Sequence, residues 1–213
     1  MKVFVLGATG RVGSEVVRRA LADGHQVNVL VRNPDKLQTG SSSEAPAVIV
    51  EGSVLDSGKV AQAMQGVDAV VSALGTDGGT TLSEGIPLVL EAMREQGVKR
   101  IITVGTAGIL DSRAEPGLLR YQSSESRRTL TRAAEEHHQV FQLLQEEQHA
   151  SGLVWTIVCP TYLPDGQYTG RYRAERDRLP EGGKEISVAD TAELTYKQLF
   201  SVEYHCARVG IAY

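Results

Sequence analysis

At 213 residues and 41% apolar content, the chain can build one sizeable core, or at most one domain with a small lobe. A net charge of −4 with scattered basic residues argues against nucleic acid as the main partner. Cys159 and Cys206 match no metal or redox spacing and read as reduced thiols of a cytoplasmic protein; no stretch approaches the ~20 apolar residues of a membrane span, and "KVFVL" is too short for the apolar core of a signal peptide.

In chain order, "KVFVLG" is the first of seven short apolar runs rich in valine and isoleucine. A helix is expected over residues 11–22, with Val12, Val16, Val17, Ala20 and Leu21 on one face and Asp23-Gly24 as its stop. "QVNVLV" follows, then "TGSSSEAP" (39–46), a surface loop by composition, and then "AVIVEG" and "DAVVSALG". The next helical face is Leu82, Ile86, Val89, Leu90 and Met93, closed by Gly97; Pro87 fits if this helix begins near Ser83, in whose first turn a proline is tolerated. After "RIITVGT", Leu130, Ala134, His137, Phe141 and Leu144 mark a helix within 126–149, followed by "LVWTIVCP". In "ADTAEL", Asp190 is read as an N-cap with Glu193 as its capping-box partner, and "RVGIAY" closes the set.

Continuously apolar runs mark strands buried on both faces of a parallel sheet. Their alternation with helices gives an α/β fold: a doubly wound, mostly parallel sheet with helices on both faces and right-handed crossovers. No internal boundary stands out, so residues 1–213 are expected to form a single domain. Segments 107–125 and 161–185 are too irregular for regular elements. Both follow strands and should overhang the carboxyl edge of the sheet, where ligands bind in this architecture.

Gly7, Gly10 and Gly13 stand between the first strand and the first helix. The first permits a tight turn, the second lets backbone approach a diphosphate, and the third lets the helix pack closely; the helix N-terminus then faces the phosphates. Thr9 adds a hydroxyl donor, and Arg11 is placed to set a cation beside the diphosphate. At the end of the second strand, where a NAD site usually carries an acid, stands Arg32, 19 residues after Gly13, with Lys36 one turn on. A guanidinium grips a 2′-phosphate through charge-assisted bonds worth about 1.5–3 kcal/mol, roughly 10–150-fold in favour of NADP(H). Asp35 is the competing ribose ligand, but it lies past Pro34.

"GATGRVG", "LVRNPDKL", "VSALGT", "EAMREQGVKRIITVGTAG" and "WTIVCPTYLPDG" together resemble the atypical short-chain dehydrogenase/reductases. Within that group the likeness is to the NAD(P)H-binding proteins around biliverdin reductase B (flavin reductase) and the NmrA-like set. The resemblance implies an NADP-bound Rossmann domain. Gly7, Thr9, Gly10, Arg11, Val12 and Gly13 would hold the diphosphate, and Arg32 and Lys36 the 2′-phosphate. Ser53 and Val54 would lie by the adenine, with Ser53 where relatives often have aspartate. Leu74 and Gly75 would line the ribose path. Val104, Gly105, Thr106, Pro160, Thr161, Tyr162 and Leu163 would flank the nicotinamide.

Most enzymes of the wider superfamily use Tyr-x-x-x-Lys, and none of the seven tyrosines here is followed four residues later by lysine. Thr106, Tyr162 and His137 are the candidates for chemistry. Thr106 orients substrate or bonds backbone at a strand end. Tyr162, where biliverdin reductase B has histidine, stacks or packs. His137 aligns with a histidine of the relatives and also suits the apolar stripe of its helix, leaving His138 facing solvent. Asp111 and Arg113 are placed to touch substrate by location alone. Two functions follow. One is an NADPH-dependent reductase passing hydride to flavins, quinones or similar conjugated acceptors. The other is a non-catalytic NADP(H)-binding redox sensor of NmrA-like type with a protein partner.

Overall fold

The computed structural model describes residues 1–37, 46, 48–76, 78–126 and 129–213, so of the serine-rich stretch 39–46 only Pro46 falls within the described residues. β1 (Lys2–Leu6), α1 (Arg11–Ala22), β2 (Gln26–Val31), β3 (Val48–Glu51), α2 (Ser57–Met64), β4 (Ala69–Ser72), α3 (Thr81–Gln96), β5 (Arg100–Val104), α4 (Arg132–Ser151), β6 (Val154–Pro160), β7 (Arg173–Arg176), α5 (Val188–Lys197) and β8 (Ala207–Ala212) follow one another along the chain. The sheet runs β3-β2-β1-β4-β5-β6-β8-β7, parallel except where β7 pairs antiparallel with β8. This is the doubly wound α/β Rossmann architecture that strand alternation implies.

Successive side chains of a strand face opposite ways, so each strand feeds two cores. Phe4, Leu6, Val70, Ile101 and Ile157 point to a layer shared with α2, α3 and α4. Val3, Val5, Val29, Val71, Ile102 and Val158 point to the layer under α1 and α5. The chain winds from β1 through β2 to β3, then returns to β4 on the other side of β1. The crevice at the carboxyl ends of β1 and β4 is therefore the topological switch point.

Four local expectations need correction. Segment 161–185 is not wholly irregular: it contains β7, held by four register pairs to β8. α3 begins at Thr81, so Pro87 is its seventh residue and sits inside the helix. A proline there removes one backbone hydrogen bond, at a cost of about 3 kcal/mol. Separately, the buried carboxylate of Glu136 on α4 anchors the first turn of α3, accepting from the Ser83 amide and the Ser83 hydroxyl, each at 3.1 Å. α4 starts at Arg132, and Leu130 lies outside it, 86% exposed. Its buried face is Glu136, Val140, Leu144 and Glu147. α5 is capped by Ser187, whose hydroxyl accepts from the Asp190 amide at 3.1 Å; Asp190 is the third helical residue and not the N-cap, and Glu193 is inside the helix.

Candidate dinucleotide and acceptor sites

The glycine-rich turn shows why each position excludes a side chain. Gly7 has φ +74°, the left-handed region, and a Cβ there would stand 2.4 Å from the Ala73 carbonyl oxygen. Gly10 donates to the Gly7 carbonyl at 2.9 Å, closing the turn. A Cβ on Gly13 would stand 2.1 Å from that same carbonyl oxygen. α1 opens with no acidic residue in its first turn, and the amides of Arg11, Val12 and Gly13 have no acceptor within the helix. A helix end of this kind draws anions.

Around this turn lies a cavity of about 350 Å³. Gly7, Thr9 and Gly10 line it together with Arg32, Ser53, Val54, Leu74 and Gly75. Thr81, at the start of α3, also lines it; the sequence offered no motif for it. Val12 and Gly13 are buried behind the turn, so Val12 contributes its amide and not its side chain. Arg32 is exposed and makes no hydrogen bond or ion pair among the described residues. Lys36 is exposed in the 3-10 turn Pro34–Lys36, and Asp35 caps against Asn33 through its amide. The Arg11 guanidinium takes a different course from the expected one. It donates to the Leu163 carbonyl at 3.0 Å and pairs with Asp165 at 2.9 Å, tying the glycine turn to the segment after β6.

Further along the same sheet edge is a second cavity of about 520 Å³. Thr106, at the end of β5, lines it, as do Tyr121, Thr131, Ala134, Thr161 and Lys184. The Thr106 hydroxyl oxygen accepts from the Gly108 amide at 3.3 Å. Gly105 donates to Val158 at 2.7 Å, and a Cβ on it would stand 2.7 Å from Ile157, so β5 and β6 close tightly at this end. Val104 is half-buried, and Pro160 ends β6 in a buried position.

Tyr162 and His137 line neither cavity. Tyr162 is 60% exposed and pairs through its backbone with the 185–186 segment. His137 is half-buried on α4; burial pushes its pKa down to about 4, against a smaller upward pull from Glu136. Its imidazole is therefore neutral at neutral pH. His138 does not face solvent as expected: its Nδ1 stands 3.0 Å from the Tyr121 hydroxyl. Burial and the Arg208 charge hold its pKa below the usual histidine value. Asp111 and Arg113 do not line the second cavity either. Asp111 pairs with the buried Arg208 at 2.7 Å, and Arg113 pairs with Glu175 at 2.5 Å. Tyr121 is the residue that sequence reasoning missed. A tyrosine in the irregular segment after β5 was the available signal.

The NAD(P)H-binding family model matches residues 7–201 of the chain. The chain belongs to the NAD(P)H-binding family. The resemblance to atypical short-chain dehydrogenase/reductases agrees with this membership. The uncharacterized protein YwnB of Bacillus subtilis is 28% identical over 220 residues, covering 99% of this chain and 98% of its own length. The phenylcoumaran benzylic ether reductase IRL1 of Ginkgo biloba is 32% identical over 108 residues, 47% of this chain and 34% of that protein, so the chain spans about a third of that relative. A candidate NADH-flavin reductase of Streptococcus pneumoniae has the same fold, with a TM-score of 0.83 at 24% identity over 100% of this chain and 99% of that one. Membership makes a nicotinamide dinucleotide the expected cofactor. The residues present fit one: side-chain-free Gly7 and Gly13, an unneutralised helix end, and a lined cavity at the switch point. Among the described residues no helix is long and apolar enough to cross a membrane, and no group of three His, Cys, Asp or Glu is placed to hold a metal.

Proposed function

We propose that the protein is an NADPH-dependent reductase of flat conjugated acceptors such as flavins and quinones. The observation that carries this reading is the sequence of cavities along one sheet edge. The dinucleotide cavity lies at the ends of β1 to β4, and a larger cavity follows at the ends of β5 and β6, lined by Thr106 and Thr161. Bound there, the reduced nicotinamide supplies a hydride. The amides of Arg11, Val12 and Gly13 and the Thr9 hydroxyl hold the diphosphate. Ser53 and Val54 border the adenine, and Leu74 and Gly75 border the ribose. The Arg11 bond to Leu163 draws the loop after β6 over the cofactor channel. Thr106 aims its free hydroxyl proton at the acceptor, since its oxygen is already oriented by Gly108.

Preference for NADPH rests on Arg32. Its guanidinium lines the dinucleotide cavity with no protein partner among the described residues, and Lys36 stands one turn on. An acid at this position would repel a 2′-phosphate and bond a ribose hydroxyl instead. Arg32→Glu is therefore expected to weaken NADPH binding by at least about 100-fold, combining the lost charge-assisted contact with repulsion, and to narrow or reverse the preference over NADH. Calorimetry with both nucleotides checks this.

The activity is tested by mixing the protein with NADPH and FMN, riboflavin, dichlorophenolindophenol or a quinone, and following absorbance near 340 nm. Turnover that Arg32→Glu abolishes with NADPH supports the reductase. Tight NADPH binding with no turnover on any acceptor supports the sensor reading, which the missing Tyr-x-x-x-Lys dyad and the outward-facing Tyr162 favour.

A further inference from the structure

We propose that Tyr121 is the proton donor of the acceptor site, and that His138 is the positioning residue that holds it. This rests on the reductase reading above and adds to it the group that completes the reduction.

The geometry brings these residues together from two elements. Tyr121 lies in a 3-10 turn, Arg120–Gln122, in the loop after β5, while His138 is on α4. The Tyr121 hydroxyl stands 3.0 Å from His138 Nδ1, with the rings edge-on at 5.8 Å. Gln122 Nε2 donates to the same hydroxyl oxygen at 3.3 Å. Thr106 and Tyr121 line one cavity, ringed around Gly108. A Cβ on Gly108 would stand 3.6 Å from Thr106 Cγ2, 3.5 Å from Tyr121 Cβ and 3.1 Å from Ala134 Cβ. Two hydroxyl-bearing residues thus line one cavity beside the bare backbone of Gly108.

The charged neighbours leave the phenol as the group suited to give a proton. Glu125 is held as a carboxylate: burial alone would raise its pKa, yet bonds from Ala114, Ser112 and Arg113 and the Arg120 charge bring it below the usual range. Arg120 is paired with Glu125 at 3.0 Å. Arg208, on β8, is locked between Asp111 and Asp177 and lies under the Phe141 ring. Lys184 is exposed at the rim.

Two-electron reduction of a quinone adds one hydride and one proton. The hydride comes from the reduced nicotinamide. The proton comes from the Tyr121 O–H bond, which breaks as an O–H bond forms on the acceptor oxygen. The phenolate, held by the Gln122 amide, then regains a proton from solvent, and the restored phenol donates again to His138 Nδ1. The sum is acceptor, reduced nicotinamide and one proton going to reduced acceptor and oxidised nicotinamide. A positioned acid of this kind contributes about 10²-fold or more to rate.

The test uses the full chain with NADPH and 1,4-naphthoquinone. Tyr121→Phe is expected to lower kcat about 100-fold while the calorimetric Kd for NADPH holds within twofold. In the parent protein, histidine 15N NMR should show the His138 Nδ1 resonance moving as naphthoquinone is titrated in without cofactor, because the phenol turns from the imidazole to the acceptor. In Tyr121→Phe that titration should leave the resonance still. Should Tyr121→Phe also lose NADPH affinity, His138→Gln carries the test: it keeps the phenol, and kcat should fall about tenfold at unchanged KM for NADPH. A Tyr121→Phe protein with parental kcat, or a His138 resonance that ignores naphthoquinone in the parent, overturns the assignment and leaves the reductase reading standing. A parent protein that turns over no acceptor defeats the reductase reading, and this inference with it.

Discussion

Gly13→Ala is expected to abolish measurable NADPH binding and to lower stability by about 3 kcal/mol, a cost at the upper end of overpacking. The added Cβ would stand 2.1 Å from the Gly7 carbonyl oxygen and 2.7 Å from its carbon, where Cβ atoms essentially never come within 3.0 Å. Something must move by about an ångström, and neither side is free to do so. α1 is anchored by buried Val12, Val16, Val17 and Ala20, so lifting it uncovers part of one core. Gly7 is held by its φ of +74° and by its close approach to Ala73, just past the end of β4. The turn must therefore deform, and its amides lose the arrangement that receives a diphosphate. Calorimetry with NADPH and thermal unfolding of the cofactor-free protein check the two parts separately. Parental affinity at parental melting temperature would contradict the close-packing account.

Asp190→Ala is expected to destabilise the protein by about 3–4 kcal/mol and to raise KM for NADPH. Asp190 is fully buried, and its carboxylate accepts from five donors. The Thr169 amide and hydroxyl and the Gly170 amide come from the loop between β6 and β7. The Ser187 hydroxyl comes from the α5 cap, and the Tyr213 hydroxyl lies beyond β8. A buried donor left without a partner costs about 1–3 kcal/mol, and some of the five find water in the variant. Because this carboxylate pins the loop that begins with Thr161, Tyr162 and Leu163, its loss loosens the wall of the cofactor channel as well as the fold. The same residue sets a pH dependence. Burial alone would raise its pKa, but bonds from Tyr213, Thr169 and Gly170 outweigh it and hold the folded value below the ordinary one. A depressed folded pKa gives stability that is complete above the unfolded value of about 3.9 and fades as pH falls through the folded value. Acid unfolding below about pH 4 should therefore be less steep in Asp190→Ala. Chemical denaturation at pH 7 and pH 3 measures both effects.

The parts of the fold legible in the sequence are those where burial is simplest. β1, β2, β4, β5, β6 and β8 are buried on both faces, so their apolar runs stand out, and β3 at the far edge keeps an apolar run although Ile49 is exposed. β7, at the opposite edge, reads Arg-Ala-Glu-Arg and carries no apolar signature. α4 hid its true face because Glu136 and Glu147, buried at helical spacing, break the hydrophobic period, while exposed Leu130 mimics it. The α5 cap moved one turn because Asp190 is recruited by Thr169, Gly170 and Tyr213, contacts that only tertiary structure supplies. The dinucleotide side of the site was readable, since a glycine turn after a first strand obeys local rules. The acceptor side was not. Tyr121 meets Thr106 and His138 only after two irregular turns fold over the sheet edge, and no local pattern encodes such a meeting.

The antiparallel strand at the end of the sheet has a consequence for behaviour at high concentration. β7 is four residues long, its side chains are mostly charged, and those charges are committed nearby: Arg173 to the Glu181 and Tyr213 carbonyls, Glu175 to Arg113, and Arg176 to the Glu203 and His205 carbonyls. A neighbouring molecule that tried to extend the ladder there would gain few bonds and disturb several, so on this flank the protein resists growing into fibres.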